Sequence, residues 1–154
     1  MQKKLLDILI CPKCKKDELL LDIHVESESL DIEEGIISCS ECNSTYPIIQ
    51  GVPVFVELNN KDNVFKRTSN HYGSGWVEGD ESATYSLEEK WHYDELIKLF
   101  DFPRGLSGFG IEAGSGNGKD TVKLAVNNPK SDIITIDISD GIYVANKRSK
   151  ILKL

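Results

Sequence analysis

Four cysteines, placed as two Cys-x-x-Cys pairs, restrict this chain more than any other feature. Cys11-Pro12-Lys13-Cys14 is followed, after 24 residues, by Cys39-Ser40-Glu41-Cys42, and the chain has no other cysteine. Each pair can set two thiolates on one face of a tight turn, and two such turns can close one tetrahedral Zn²⁺ site through Cys11, Cys14, Cys39 and Cys42. Pro12 presets φ in the first turn. Asn43, just past the second pair, tolerates the left-handed backbone that such turns need. Four thiolates around one Zn²⁺ leave a net charge of −2, which Lys13, Lys15 and Lys16 are placed to offset while lowering the thiol pKa values. The rival arrangements are a pair of disulfides or redox-active thiols. The start, Met1-Gln2-Lys3-Lys4-Leu5-Leu6-Asp7, is broken by an acid and does not read as a secretion signal. The expected compartment is therefore the cytosol, where thiols stay reduced and a metal is favoured over disulfides.

The segment around these pairs, residues 1–56, reads as a small β domain. Leu19 to Val25 and Gly35 to Ser38 are strand-like and flank an acidic stretch, Glu26 to Glu34, expected to be a solvated loop or hairpin tip. Thr45 to Ile49 and Val52 to Val56 are apolar strands joined through Gln50-Gly51, a hairpin signal. So short a domain builds little core, and a metal compensates. Residues 57–84 are polar and turn-rich and read as a linker, although His71, Tyr72 and Trp76 lie within them. Tyr85 to Phe100 is expected to be a helix, started by a Ser86/Glu89 capping box, with Trp91, Leu96 and Leu99 on its apolar stripe.

The second informative stretch is Phe109 to Lys119. A short apolar run ends at Glu112, glycines follow at 114, 116 and 118, and a helical segment begins at Lys119. Strand, glycine turn and helix open a nucleotide-binding α/β unit, because glycine lets the backbone turn tightly and approach a ligand. A Walker phosphate loop is excluded: position 120 is Asp120 and position 113 is Ala113. The dinucleotide pattern Gly-x-Gly-x-x-Gly fails because the third glycine comes one residue early. Ile133 to Ile136 is a second buried-strand run, ending at Asp137, an acid placed to accept hydrogen bonds from ribose hydroxyls. Ser139 and Asp140 then start a helix whose basic end, Lys147, Arg148, Lys150 and Lys153, reads as a solvated face suited to the helix dipole.

Two resemblances follow. The acid-x-Gly-x-Gly-x-Gly pattern from Glu112 to Gly118, with Asp137-Ile138-Ser139, resembles motifs I and II of the class I S-adenosylmethionine-dependent methyltransferases. That resemblance implies S-adenosylmethionine as cofactor. Glu112 would hold its amino-acid end, the Gly114, Ser115, Gly116 and Gly118 backbone would line that end and the ribose, and Asp137 with Ile138 would follow at the ribose. Leu5 to Pro12 and Tyr46 to Pro53 are similar to the small zinc-ribbon proteins that activate nucleic-acid and protein methyltransferases. In those activators the ribbon binds a separate methyltransferase chain. Asn70 to Trp76 resembles the Phe-Gly-x-x-Trp lid of ribbon-fused methyltransferases.

The expectation is then a zinc ribbon (residues 1–56), a linker and lid (57–84), and the first βαβα part of a Rossmann-like α/β methyltransferase fold (85–154) that reads as truncated. Two parallel strands are visible where that family has seven, so an apolar sheet edge and exposed helix faces are expected, available to a protein partner or to self-association through the incomplete sheet. The leading function is the N-terminal region of a methyltransferase, inactive as this fragment, acting on a methyl acceptor that the sequence does not name. The alternative is a non-enzymatic ribbon module that docks on or activates a partner methyltransferase. An NAD-dependent enzyme is disfavoured by the glycine spacing. Three histidines without a nucleophile–base set argue against a hydrolase. The net charge of −7 gives no basic footprint for nucleic acid, and no apolar run approaches a membrane span.

Overall fold

The computed structural model describes residues 1–56 and 105–152, together with the helical residues Asn70, His71, Glu95 and 97–99. The expected helix at 85–100 is thus seen only at Glu95 and 97–99. Its capping box, and most of the lid segment, lie outside the described residues. The chain divides into two compact units, Met1–Asn60 and Lys61–Leu154.

The first unit is a four-stranded antiparallel sheet preceded by a 3-10 helix, Lys3–Ile8. Its strands run in sequence order: β1 (Leu19–Glu26), β2 (Ile32–Cys39), β3 (Thr45–Ile49) and β4 (Val52–Pro53). The register pairs Leu19 with Cys39 and Ile37 with Tyr46, which draws the second cysteine pair to the start of β1 and of β3. Gln50 and Gly51, with φ of 50° and 79°, close a two-residue β3–β4 turn of the kind in which both central residues are left-handed, as Gln50-Gly51 predicts.

The hairpin tip is tighter than the acidic composition of residues 26–34 suggests. Strand β2 begins at Ile32 because that side chain is fully buried, and Glu33 and Glu34 are carried into the strand with it. Burial of an apolar residue outweighs the weak strand preference of its acidic neighbours. Met1 reinforces the point: its α-ammonium donates to the Ile32 carbonyl and its own carbonyl accepts from the Ile32 N–H, both at 2.8 Å. Ile32, Ile37 and Ile48 form the core together with Cys11 and Cys39, so the cysteine centre and the apolar core are one continuous body. Gly35 is fixed by close strand approach, since a Cβ there would lie 2.5 Å from the Asp22 carbonyl oxygen.

Within the second unit, the described residues form a β-α-β-α run: β5 (Ser107–Ala113), α1 (Lys119–Asn127), β6 (Lys130–Ile136) and α2 (Gly141–Ile151). β5 and β6 are parallel, with Ile111 opposite Ile134 and Ala113 opposite Ile136. Asn128, fully buried, ties the end of α1 to the start of β5: its Nδ2 donates to the Leu124 carbonyl at 2.8 Å and its Oδ1 accepts from the Leu106 N–H at 2.9 Å. Phe109, Ile111 and Ile136 on these two strands are exposed. None of the described helices is long and apolar enough to cross a membrane.

Candidate functional site

The two cysteine turns are built alike. In the first, the Cys11 N–H donates to the Lys16 carbonyl (2.7 Å) and the Lys15 N–H to the Cys11 carbonyl (2.8 Å). In the second, Cys39 pairs with Ser44 and Asn43 with Cys39 in the same sense, both at 2.9 Å. The residue after each pair is left-handed: Lys15 at φ 64° and Asn43 at φ 57°. Asparagine accepts that conformation readily and lysine does not. Nothing in lysine itself signals the Lys15 strain.

The turns bring all four sulfurs within 4.8 Å of one another. Two contacts cross between turns: Cys11 to Cys42 at 3.6 Å and Cys14 to Cys39 at 3.5 Å. A disulfide needs about 2.05 Å, and all four cysteines are free thiols. Sulfurs at about 2.3 Å from a tetrahedral Zn²⁺ lie about 3.8 Å apart, and the observed spacings fit that set. Cys11 and Cys39 are buried and Cys14 and Cys42 half-buried, a four-thiol set of the kind that structural zinc sites use.

Hydrogen bonds divide the four thiols. Burial pushes the Cys11 thiol up, but bonds from the Tyr46 hydroxyl, from the Cys14 and Lys13 backbone and from Cys42 outweigh it and hold the group down at about 6. Cys42 is lowered by the Ser44 side chain and backbone. At Cys14 the Lys16 N–H lowers the pKa, yet burial and the neighbouring thiols push it up to about 12. Metal binding requires that proton to leave. Burial and the adjoining Cys11 also push the Tyr46 hydroxyl up to about 12, so it keeps its proton and can donate.

In the second unit the glycine turn is held from three sides. The N–H groups of Gly114 and Ser115 donate to the Ile136 carbonyl, at 2.7 and 3.3 Å. The Gly116 N–H donates to Asp137 Oδ2 at 2.7 Å. Helix α2 then lays a stripe on the turn: Gly141, Ala145 and Arg148 are its buried residues. A Cβ on Gly141 would lie 2.8 Å from the Gly116 carbonyl carbon, and one on Gly118 would lie 2.5 Å from the Ala145 Cβ. Arg148 Nη1 donates to the Asn117 carbonyl at 2.9 Å. Gly118 is therefore required by helix packing as well, and Arg148 is buried rather than part of a solvated basic face. Its position one stripe on from Gly141 and Ala145 was the available signal.

The two acids are engaged. Thr121 donates its hydroxyl to Glu112 Oε2. Burial raises the Glu112 pKa, against the Thr121 bond that lowers it, with Asp120 and Asp137 adding to the rise. Asp137 Oδ1 accepts from both the N–H and the hydroxyl of Ser139, at 2.7 and 2.6 Å. With Gly116 on Oδ2, three of about four acceptor positions are filled, which leaves room for one further donor rather than two. Ser139 Oγ also accepts from the Gly141 N–H at 3.3 Å, taking over the capping role for α2 from Asp140, which makes no side-chain cap. Ser115 Oγ is buried without a partner, an unmet polar atom inside the glycine turn. Ile138 is exposed beside Asp137.

Comparison with known proteins places the first unit. Residues 2–51 match the Trm112p-like protein family. Among solved structures, the chain is similar to a chain of the complex between the Haloferax volcanii Trm112 methyltransferase activator and a methyltransferase. The identity there is 32%, over 37% of this chain and 93% of that chain, with a TM-score of 0.34. No curated protein matches. The N-terminal domain is thus a Trm112-like zinc ribbon with a four-cysteine cluster.

Proposed function

We propose that the ribbon is a non-catalytic module that docks on, and supports, a methyltransferase fold. The carrying observation is the closed four-cysteine centre inside a four-stranded ribbon over the residues that match the Trm112p-like family. Four thiolate ligands and a core-continuous position suit a structural metal, whose chemistry when bound is to hold the two cysteine turns together. Cys11, Cys14, Cys39 and Cys42 are the groups that would hold it. Affinity capture with the zinc-loaded full chain from its native cell extract, read by mass spectrometry, is expected to retain a methyltransferase. Retention of none, together with no effect of zinc removal on whatever is retained, defeats the docking reading.

A second reading is supported by a separate observation, the braced glycine turn with its unpartnered Ser115 Oγ. On this reading residues 85–154 are the N-terminal part of an S-adenosylmethionine-binding domain. Glu112, Gly114, Ser115, Gly116 and Gly118 would lie along the amino-acid end and ribose, and Asp137 and Ile138 beyond them. Asp137 would take one ribose hydroxyl at Oδ2, and a second only if Ser139 gave up its bond. Calorimetric titration of the full chain with S-adenosylhomocysteine and with NAD is expected to show heat for the first only. Equal response to both, or to NAD alone, refutes it.

A further inference from the structure

The sulfur tetrahedron has two unlike edges, and the difference originates in one short segment. Ser44, before β3, and Tyr46, within it, both bring a hydroxyl oxygen to the same edge, where Ser44 Oγ accepts from the Cys42 thiol. Tyr46 Oη lies 3.2 Å from Cys11 Sγ, and Ser44 Oγ lies 3.2 Å from Cys42 Sγ. Cys11 and Cys42 are themselves 3.6 Å apart. The opposite edge, Cys14 to Cys39 at 3.5 Å, receives no side-chain hydroxyl among the described residues. The Tyr46 side chain is almost fully buried, packed on Phe55 with ring centroids 5.1 Å apart. Phenylalanine would fill that space equally well, so packing alone does not call for the hydroxyl. A buried hydroxyl must use its proton. Beside a metal-bound thiolate, which has none to give, Tyr46 and Ser44 can only donate.

We propose that Tyr46 is an outer-shell positioning residue that makes the Cys11–Cys42 edge the anchored half of the zinc centre and leaves the Cys14–Cys39 edge as the half that opens first. A thiolate that accepts a hydrogen bond shares its charge with the donor and is the poorer nucleophile. A competing chelator therefore enters at the Cys14–Cys39 edge, which is supported by the Lys16 N–H at Cys14 and by no side-chain hydroxyl among the described residues. The hydroxyl also fixes the direction of the Cys11 lone pairs, as outer-shell donors do at other metal sites.

The test uses the zinc-loaded full chain. Tyr46→Phe is expected to lower zinc affinity by about 10–100-fold in competition with a chromophoric chelator, and to shift the thiolate-to-metal absorption of the cobalt(II)-substituted protein. Ser44→Ala should act in the same direction. During slow metal withdrawal, iodoacetamide should label Cys14 before Cys42, the two half-buried thiols, and Ser44→Ala should narrow that order. Phe55→Leu, which disturbs the same packing without touching a sulfur, should lower stability and leave the cobalt band in place. Unchanged affinity, an unmoved cobalt band, or labelling of Cys42 before Cys14 in the parent chain overturns the proposal while leaving the metal centre intact. A parent chain that takes up no zinc overturns both.

Discussion

Replacing Gly118 by alanine tests how α2 is seated on the glycine turn. An added Cβ would lie 2.5 Å from the Ala145 Cβ and 2.9 Å from its Cα, and neither atom can rotate away. Two costs combine. The left-handed φ of 75° costs an alanine about 1–2 kcal/mol. Forcing α2 off the turn costs about 1–3 kcal/mol, the usual range for overpacking. The expected loss is therefore about 2–5 kcal/mol, a large part of a typical domain's stability. Gly114→Ala separates the two costs: its φ is 78°, but no atom lies within 4 Å of its Cβ, so only about 1–2 kcal/mol should be lost. Ala145→Gly in the Gly118→Ala background should recover the overlap, less about 1 kcal/mol for glycine inside a helix. Urea unfolding of the full chain gives the energies, and amide hydrogen exchange confines them to residues 105–152. Equal losses for Gly114→Ala and Gly118→Ala, with no rescue at 145, would refute the seating.

The purified chain should carry one Zn²⁺, and Cys39→Ser should unfold residues 1–56, because structural metal binding supplies much of the folding free energy of so small a domain; a metal-free chain with native exchange protection there would contradict this. Lys15→Gly should stabilise the zinc-loaded ribbon by about 1 kcal/mol by relieving a left-handed lysine, read as a raised denaturation midpoint. A lowered midpoint would count against the strain. Glu112 has its pKa raised by burial from the ordinary 4.5, so the folded unit prefers the protonated acid. The stability this confers is present at low pH and lost as pH rises through the raised value. Glu112→Gln should therefore stabilise the unit at neutral pH and flatten its pH dependence above 4.5, measured by thermal melts. A destabilised glutamine variant at pH 7 would show that the carboxylate charge is needed.

The cysteine spacing and the Gln50-Gly51 turn carried the ribbon because both act locally: a tetrahedral site and a left-handed pair each restrict a few adjacent residues. The start of β2 was hidden because Ile32 sits among acids, and only its burial against Met1 and the core reveals a strand. Arg148 was misread for a related reason. A basic residue near a helix end reads as solvated until the neighbouring turn offers a carbonyl, and the packing demand on Gly118 shows only when a second helix is found against it. The hydroxyls of Ser44 and Tyr46 carry no mark in sequence that separates them from other strand residues, because their partners lie across the fold.

The ribbon's long-range contacts span nearly equal lengths of chain. Met1 meets Ile32 across 31 residues, Cys42 meets Cys11 across 31, Cys39 meets Cys14 across 25, and Tyr46 meets Cys11 across 35. Bringing the ends of such a segment together costs entropy that grows only slowly with its length. Once one of these contacts has closed the loop, the others form over short remaining gaps. A metal held by the four cysteines would be the contact strong enough to bear that closure alone, and the amine, the tyrosine and the core isoleucines would then join at little further entropic cost. The ribbon should accordingly fold and unfold as one cooperative unit, with the N-terminal amine set free in the same step that frees the zinc.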